Sequence, residues 1–435
     1  MHRTKTIEAF VCATIVGVTA CTTSSGATAS GARSSFPTPP AAAATYTPPA
    51  NAPTYTPQAS TASFSLLPWA GNPGGPYPIK DCSDAGGIIG ASDPVALVQP
   101  HGLEVALRDY ADPAHPRTVC RFSNNQIVQL IDSRHIVVVG VTATNLFAVV
   151  DLPELRHHWF QLPVAPKDWA VLLGVSPGLD AVAWLSLDQN RQVNIHITTS
   201  QGDQVTPVAP SPSTGGGRLA MYERAAFSPS GKYLFLLDRR LGGNNNLEDP
   251  SLRTLLILQG SRVLLRLEPP AGGWAVDGEP AMPLWSPISD TLFYRQNGDV
   301  WAWSPETGAA ILLPKTAWCF PTISADGRYL AYGAPHSPDG TYNVYLADLR
   351  GSLAPQAIGK GPRNAPGFLN ANLLWYRAWT QQTCTTDGSQ SLLYDTTDGS
   401  ESASSLDQVY NTWPATSSDY NGVDAFLAIN GYSNN

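Results

Sequence analysis

Hydrophobic and polar positions alternate in short runs over residues 284–358, and the pattern occurs there twice in succession. The first copy has runs of strand type at 291–296, 299–303 and 309–313, and the second at 328–332, 342–348 and 356–358. Alternation with a period of two is typical of half-buried strands, and the Gly, Asn, Asp and Pro residues between the runs indicate tight turns. A meander that recurs at about forty residues predicts two successive blades of a β-propeller.

Less regular copies of the same unit extend the pattern in both directions. A short turn precedes a strand of strongly apolar character in each copy, and these turns begin at Ser176, Ser228, Ser286, Ser324 and Asn370. Two further blades are expected between residues 95 and 162. The predicted fold is therefore all-β, a single β-propeller of four-stranded antiparallel blades, with seven blades, or six if the irregular first one is incomplete. The strand-type run 423–429 is expected to pair with the first blade and close the ring; the alternative is that it forms a loose tail.

The repeated turn is followed by a strand rich in aromatic residues, as in Ser228-Pro229-Ser230-Gly231 before residues 232–238. This combination resembles the TolB-like, or WD-like, propeller repeats, which also occur in the propeller domains of prolyl oligopeptidases. The resemblance covers residues 170–395. It implies a binding scaffold, because proteins with such repeats are mostly scaffolds that bind other proteins.

The amino terminus carries the features of an export signal. Arg3 and Lys5 precede an apolar segment, residues 9–20, which is too short to span a bilayer and ends in Val18-Thr19-Ala20-Cys21. These four residues resemble a bacterial lipobox, in which the cysteine becomes the lipidated first residue of the mature protein. We therefore expect a lipoprotein signal peptide at 1–20 and lipid on the Cys21 thiol. The alternative is an ordinary secretory signal with Cys21 incidental.

Composition changes abruptly after Cys21. Residues 21–65 are rich in Pro, Thr, Ser and Ala and are expected to form a disordered tether, or a disordered tail without a spacing role, ahead of a propeller domain at 66–435. The whole chain has a formal charge of −8 with 14% charged residues, which argues against nucleic-acid binding.

Four cysteines remain for the propeller domain once Cys12 and Cys21 are assigned to the amino terminus. Export to an oxidising compartment permits disulfides. Cys319 lies in the loop that enters blade six, and Cys384 lies between the second and third strands of blade seven. Both loops emerge on the same face of a propeller, so we predict a disulfide between Cys319 and Cys384 and, by elimination, one between Cys82 and Cys120.

Residues that could carry chemistry are sparse in the sequence. Gly174-Val175-Ser176-Pro177-Gly178 matches the G-x-S-x-G string of serine hydrolases, but a nucleophile elbow requires a helix after the serine, and a strand is predicted there. The cysteine spacings fit no zinc site, and no calcium-loop or phosphate-loop motif is present. We expect no catalytic residue, no metal and no cofactor.

Large polar and aromatic residues stand about six positions before each repeated turn, where the chain enters a blade. They are candidates for a binding face, since Trp, Tyr and Arg are enriched in binding hot spots, or they merely cover the innermost strands. The candidates are Trp169, Tyr222, Arg224, Trp318 and Arg363.

The leading hypothesis is a non-enzymatic binding scaffold outside the cytoplasm, anchored to the bacterial cell membrane through lipid on Cys21. The expected partner is an envelope protein or a small ligand, and the expected state is a monomer. The alternative is a carbohydrate- or peptide-active enzyme with its site at the mouth of the propeller channel, which would need carboxylates, His or Tyr gathered there.

Overall fold

The computed structural model describes the strands of the propeller and most of their tight turns. It covers residues 95–98, 105–109, 112, 115, 117–122, 126–131, 135–140, 143–151, 156–164, 168–187, 193–207, 220–240, 255–267, 283–336, 341–378, 390–404 and 409–412. All of these belong to the unit Ala43–Asn435. The predicted signal peptide, Cys21 and the tether lie outside the described residues, and so do Cys82 and Cys384.

The described residues form seven four-stranded antiparallel sheets, which confirms the seven-bladed propeller. Blade 1 contains β1 (Val95–Val98), β2 (Val105–Asp109) and β3 (Arg117–Phe122). Blade 2 contains β4 (Gln126–Leu130), β5 (His135–Gly140), β6 (Ala143–Asp151) and β7 (Arg156–Gln161). Blade 3 contains β8 (Trp169–Val175), β9 (Ala181–Leu187), β10 (Val193–Thr199) and β11 (Gly202–Pro207).

The remaining blades follow in chain order. Blade 4 contains β12 (Ala220–Phe227), β13 (Leu234–Arg240), β14 (Leu255–Gln259) and β15 (Arg262–Leu267). Blade 5 contains β16 (Leu284–Trp285), β17 (Leu292–Gln296), β18 (Asp299–Ser304) and β19 (Gly308–Leu313). Blade 6 contains β20 (Cys319–Ile323), β21 (Tyr329–Pro335), β22 (Tyr342–Asp348) and β23 (Gln356–Ile358). Blade 7 contains β24 (Arg363–Phe368), β25 (Leu373–Ala378), β26 (Gln390–Asp395) and β27 (Glu401–Ala403).

Blade 1 obtains its innermost strand from the other end of the chain. β28 (Val409–Thr412) pairs antiparallel with β1, so the sheet order is β28-β1-β2-β3. Closure by a carboxyl-terminal strand is as expected, but that strand is Val409–Thr412. The predicted segment 423–429 lies outside the described residues. The ring is therefore closed by backbone hydrogen bonds between the first strand and the last.

The repeated serine builds the hairpin between the first two strands of a blade. In four blades its backbone N–H donates to the carbonyl five residues later, at 2.7–2.9 Å, in the pairs Ser176–Ala181, Ser228–Tyr233, Ser286–Thr291 and Ser324–Tyr329. The side-chain oxygen of Ser324 also accepts the Tyr329 N–H at 2.8 Å, and all four serines are buried. A serine is used here because its hydroxyl can pair with backbone groups that the turn leaves unbonded.

The core lies between successive blades. Clusters of buried side chains join blades 2 and 3, 3 and 4, 4 and 5, 5 and 6, 6 and 7, and 7 and 1. The strand after each serine turn supplies large members of these clusters, such as Phe235 and Tyr332. The alternation in the sequence thus places every second residue in the seam on one side of a blade and the others in the seam on the opposite side.

Turns on one side of the disc also stack on one another. Gly327, in the serine turn of blade 6, has φ +67°, and a Cβ there would lie 2.7 Å from Cγ1 of Ile288 in the turn of blade 5. Only glycine avoids both the backbone strain and the clash. Within the part of the chain that the structure describes, there is no helix of the length and apolar character needed to cross a bilayer.

Candidate binding face

Connections of very different length leave the two sides of the disc. Because the four strands of a blade are antiparallel, the first-to-second and third-to-fourth connections leave one side, and the others leave the opposite side. On the first side every connection between the described strands has seven residues or fewer. On the opposite side four connections exceed ten residues, namely 208–219, 241–254, 268–283 and 379–389. We call this opposite side the long-connection face, and connections of such length on a rigid scaffold are typical of functional surfaces.

A short connection on this face is tightly bonded to the blade beside it. The segment 314–318 joins blades 5 and 6, and its Thr316 N–H donates to the Gly298 carbonyl at 2.8 Å. The Lys315 N–H donates to Asp299 Oδ1 at 2.8 Å, and Arg295 Nε donates to the Thr316 carbonyl at 3.1 Å. The predicted Asn297-Gly298 hairpin is present, with positive φ at both residues. The segment 314–318 is therefore held in a fixed position against blade 5.

Trp318, a predicted binding residue, is fully buried in the structure. Its ring packs 6.0 Å from Tyr332, which lies 6.0 Å from Tyr345, and His336 stands at the exposed end of the series. Nδ1 of His336 and the Tyr345 hydroxyl are 3.0 Å apart. Burial raises the pKa of both Tyr332 and Tyr345. Trp318 thus packs in the seam between blades 5 and 6, and His336 is the exposed residue of the series.

Arg363, a second predicted binding residue, forms an ion pair within blade 7. Its Nη2 and Nε donate to the two carboxylate oxygens of Glu401 at 2.8 and 3.0 Å, and the Tyr376 hydroxyl donates to Glu401 Oε2 at 2.6 Å. The Arg363 and Glu401 side chains are each 11% exposed. Arg363 therefore ties the innermost strand of its blade to the outermost one.

Electrostatics in this cluster follow from the contacts. Hydrogen bonding to the Arg363 guanidinium lowers the pKa of Glu401, against the opposing effect of partial burial. Burial raises the pKa of Tyr376, and donation of its proton to the Glu401 carboxylate raises it further. The cluster stays a charged pair with a neutral tyrosine across the physiological pH range.

The other three predicted binding residues are placed through their backbone. Trp169 begins β8, at the end where that strand enters from the long-connection face. Tyr222 and Arg224 lie on either side of a register shift in β12. Their side chains lie outside the described residues.

Two of the four predicted disulfide cysteines are described. Cys120 lies in β3 and Cys319 is the first residue of β20, at the long-connection end, and both are buried. Since Cys82 and Cys384 are outside the described residues, the pairings Cys319–Cys384 and Cys82–Cys120 stay predictions.

Ser176 occupies the serine turn of blade 3. Its hydroxyl donates to Asp180 Oδ1 at 2.6 Å and accepts the backbone N–H groups of Asp180 and Ala181 at 3.1 and 2.9 Å. The strand β9 follows directly, where a nucleophile elbow would require a helix. Ser176 therefore has the turn role that the repeat predicts. Among the described side chains, no three His, Cys, Asp or Glu residues are grouped so that they could hold a metal ion.

Comparisons with known proteins find similar chains among solved structures. No protein-family model matches the sequence, and no curated protein matches it. The structure is similar to TolB from Acinetobacter baumannii, at 15% identity and a TM-score of 0.32, over 72% of this chain and 80% of that one. It is similar to apo AztD from Citrobacter koseri, at 11% identity and a TM-score of 0.40, over 74% and 97%.

A third similar structure is a puromycin-hydrolysing peptidase of Mycobacterium tuberculosis, at 11% identity and a TM-score of 0.42. The similarity covers 81% of this chain, which spans 57% of the peptidase.

Two residues bonded to Arg363 could not be recognised from the sequence. Glu401 and Tyr376 complete the Arg363 cluster, but they lie 38 and 13 positions further along the chain, in other strands of blade 7. No short motif joins three strands of one sheet, so no local signal could have identified the set.

Proposed function

We propose that this protein is a lipid-anchored, extracytoplasmic scaffold that binds an envelope protein or a small ligand at its long-connection face, without transforming it there. The observation that carries the proposal is the unequal length of the connections on the two sides of the disc. Short connections leave little surface that can be varied for recognition, whereas long connections offer more residues that can be adapted to a partner.

The described part of the long-connection face supports binding in a second way. The connection 314–318 is held by three hydrogen bonds, and Arg363 is held by Glu401, so both stay in fixed positions where the chain enters blades 6 and 7. Rigid mounting reduces the ordering that a binding surface undergoes when a partner arrives.

The export signal and the Val18-Thr19-Ala20-Cys21 string support placement outside the cytoplasm, with lipid on Cys21. One acyl chain gives only marginal membrane binding, whereas two or more give stable anchoring. A Cys21→Ser variant is therefore expected to lose labelling by radioactive palmitate and to leave the membrane fraction. Retained labelling in that variant would remove the lipoprotein proposal.

Site-specific photocrosslinking in native membranes tests the binding face. A photoreactive amino acid is placed at His336, which is exposed on the long-connection face. In a matched variant it is placed at Glu306, which is exposed in a turn on the side of the disc with the short connections. We expect a discrete crosslinked product from position 336 and none from position 306. Products from position 306 alone, or from neither position, would contradict the proposed face.

A further inference from the structure

A chain of hydrogen-bonded side chains crosses three strands of blade 3. The Ser186 hydroxyl oxygen lies 2.8 Å from Nε2 of His196, and Nδ1 of His196 lies 2.7 Å from Oδ2 of Asp203. The three residues belong to β9, β10 and β11 in turn. A serine bonded to an imidazole that is itself bonded to a carboxylate is the arrangement that activates a nucleophilic serine.

The imidazole is fixed in orientation from two further directions. Trp184 stacks on His196, with ring centroids 3.7 Å apart and planes inclined by 12°. The Trp184 indole N–H donates to Thr198 Oγ1 at 2.9 Å, and the Thr198 hydroxyl donates to Asp203 Oδ1 at 2.8 Å. The carboxylate can only accept, so Nδ1 carries a hydrogen and Nε2 of the neutral ring accepts the Ser186 hydroxyl.

A candidate donor for an oxyanion stands next to the serine. Asn194 is the direct partner of Ser186 in the ladder between β9 and β10, so the two side chains are on one face of the sheet. Asn194 is half-buried. A side-chain amide in this position can hydrogen-bond the oxygen that becomes negative when a serine adds to a carbonyl.

We propose that Ser186, His196 and Asp203 form a nucleophilic centre that transfers an acyl group from a small neutral ester to water. The Ser186 oxygen would bond to the carbonyl carbon while its proton passes to Nε2 of His196. The ester C–O bond then breaks, and the leaving alcohol takes that proton. Water repeats the sequence on the acyl-serine and releases the carboxylic acid, so no oxidant or other co-reactant is required.

The surroundings define the class of substrate. Ser186 is 8% exposed, which admits only a small acyl group. Val205, paired with His196 and 44% exposed, offers an apolar surface on the same face. The Asp203 side chain is 32% exposed, and its charge disfavours an anionic substrate. The centre lies on blade 3 and does not depend on the proposed binding function.

Labelling of the full-length protein with a neutral fluorophosphonate ester tests the proposal. Mass spectrometry of the folded wild-type protein is expected to find the adduct on Ser186. His196→Gln and Asp203→Asn, checked for folding by tryptophan fluorescence, are expected to lower the labelling rate at least about 100-fold. Ser200→Ala, which removes an exposed hydroxyl in the neighbouring turn, serves as the matched control and should label normally.

The same measurements can overturn the proposal. Wild-type protein that carries no adduct on Ser186, whether or not other serines react, excludes an activated nucleophile at this position. An adduct that forms at an unchanged rate in folded His196→Gln protein shows that the imidazole does not activate the serine. Either result would leave the three residues as a structural network of blade 3.

Discussion

The carboxylate of Glu401 is the most informative single group to perturb, because it accepts hydrogen bonds from both Arg363 and Tyr376. In Glu401→Gln the shape is kept and the charge is lost. The substituted amide can still accept one hydrogen bond from the guanidinium, but its NH₂ group then faces a donor. Arg363 is left as a nearly buried cation without its counter-charge.

The expected loss of stability in Glu401→Gln follows from the contacts that are removed. Hydrogen bonds to charged groups are worth about 1.5–3 kcal/mol each, and breaking one member of a buried pair costs about 3–5 kcal/mol. Both side chains retain 11% exposure, so water can compensate in part. We therefore expect the free energy of unfolding to fall by about 2–4 kcal/mol.

Urea unfolding of the purified protein, followed by tryptophan fluorescence, measures this change. Glu306→Gln removes an exposed carboxylate from a turn and is the matched control, with an expected change within about 0.5 kcal/mol.

Because the folded pKa of Glu401 is lowered, the contribution of this carboxylate to stability is complete above the unfolded pKa of about 4.3 and is lost as the pH falls through the folded pKa. The difference between wild type and Glu401→Gln should therefore shrink below that pH. A difference that is under about 0.5 kcal/mol at neutral pH, or that does not change with acidification, would refute this account.

Three further outcomes are expected. Gly359 has φ +81° and a Cβ there would lie 2.8 Å from Glu401 Oε2, whereas Gly298 has φ +84° and open space. Gly298→Ala should cost about 1–2 kcal/mol through backbone strain alone, and Gly359→Ala should cost more; equal losses in urea unfolding would contradict the expected clash with Glu401. Ser324→Ala deprives the buried turn of a side-chain acceptor and should cost about 1–3 kcal/mol in the same assay, and an unchanged midpoint would show that the hydroxyl is dispensable. Peptide mapping without reduction should recover the linked pairs Cys319–Cys384 and Cys82–Cys120, and a free thiol in either pair would exclude that pairing.

Much of the architecture follows from local sequence. The serine turn recurs because each blade needs the same hairpin, and the alternation after it places apolar side chains in both seams. These features operate within about a dozen residues, so they can be read from a single chain. The five repeated turns mark five blades, whereas the less regular first two blades left the count at seven or six on sequence alone.

Features that depend on distant strands are harder to predict. β28 is a short strand that contains Asn411 and Thr412, and the more apolar run at 423–429 is the stronger candidate for a closing strand on sequence alone. The position of Trp318 before a turn predicts a place on the binding face, but the seam between blades 5 and 6 encloses its side chain. Sequence position identifies the side of the disc at which a residue lies. It does not decide whether the neighbouring blade covers the side chain.

The pairing of β28 with β1 also bears on how the protein is made. Blade 1 is the first blade to be synthesised, yet it receives its innermost strand only when Val409–Thr412 has followed. Until then β1 has an unpaired edge, which is a template for association with other chains. Pairing of β28 with β1 joins residues that are far apart in sequence, and contacts of such separation form slowly. Synthesis of Val409–Thr412 therefore decides when the edge of β1 can be covered within its own chain.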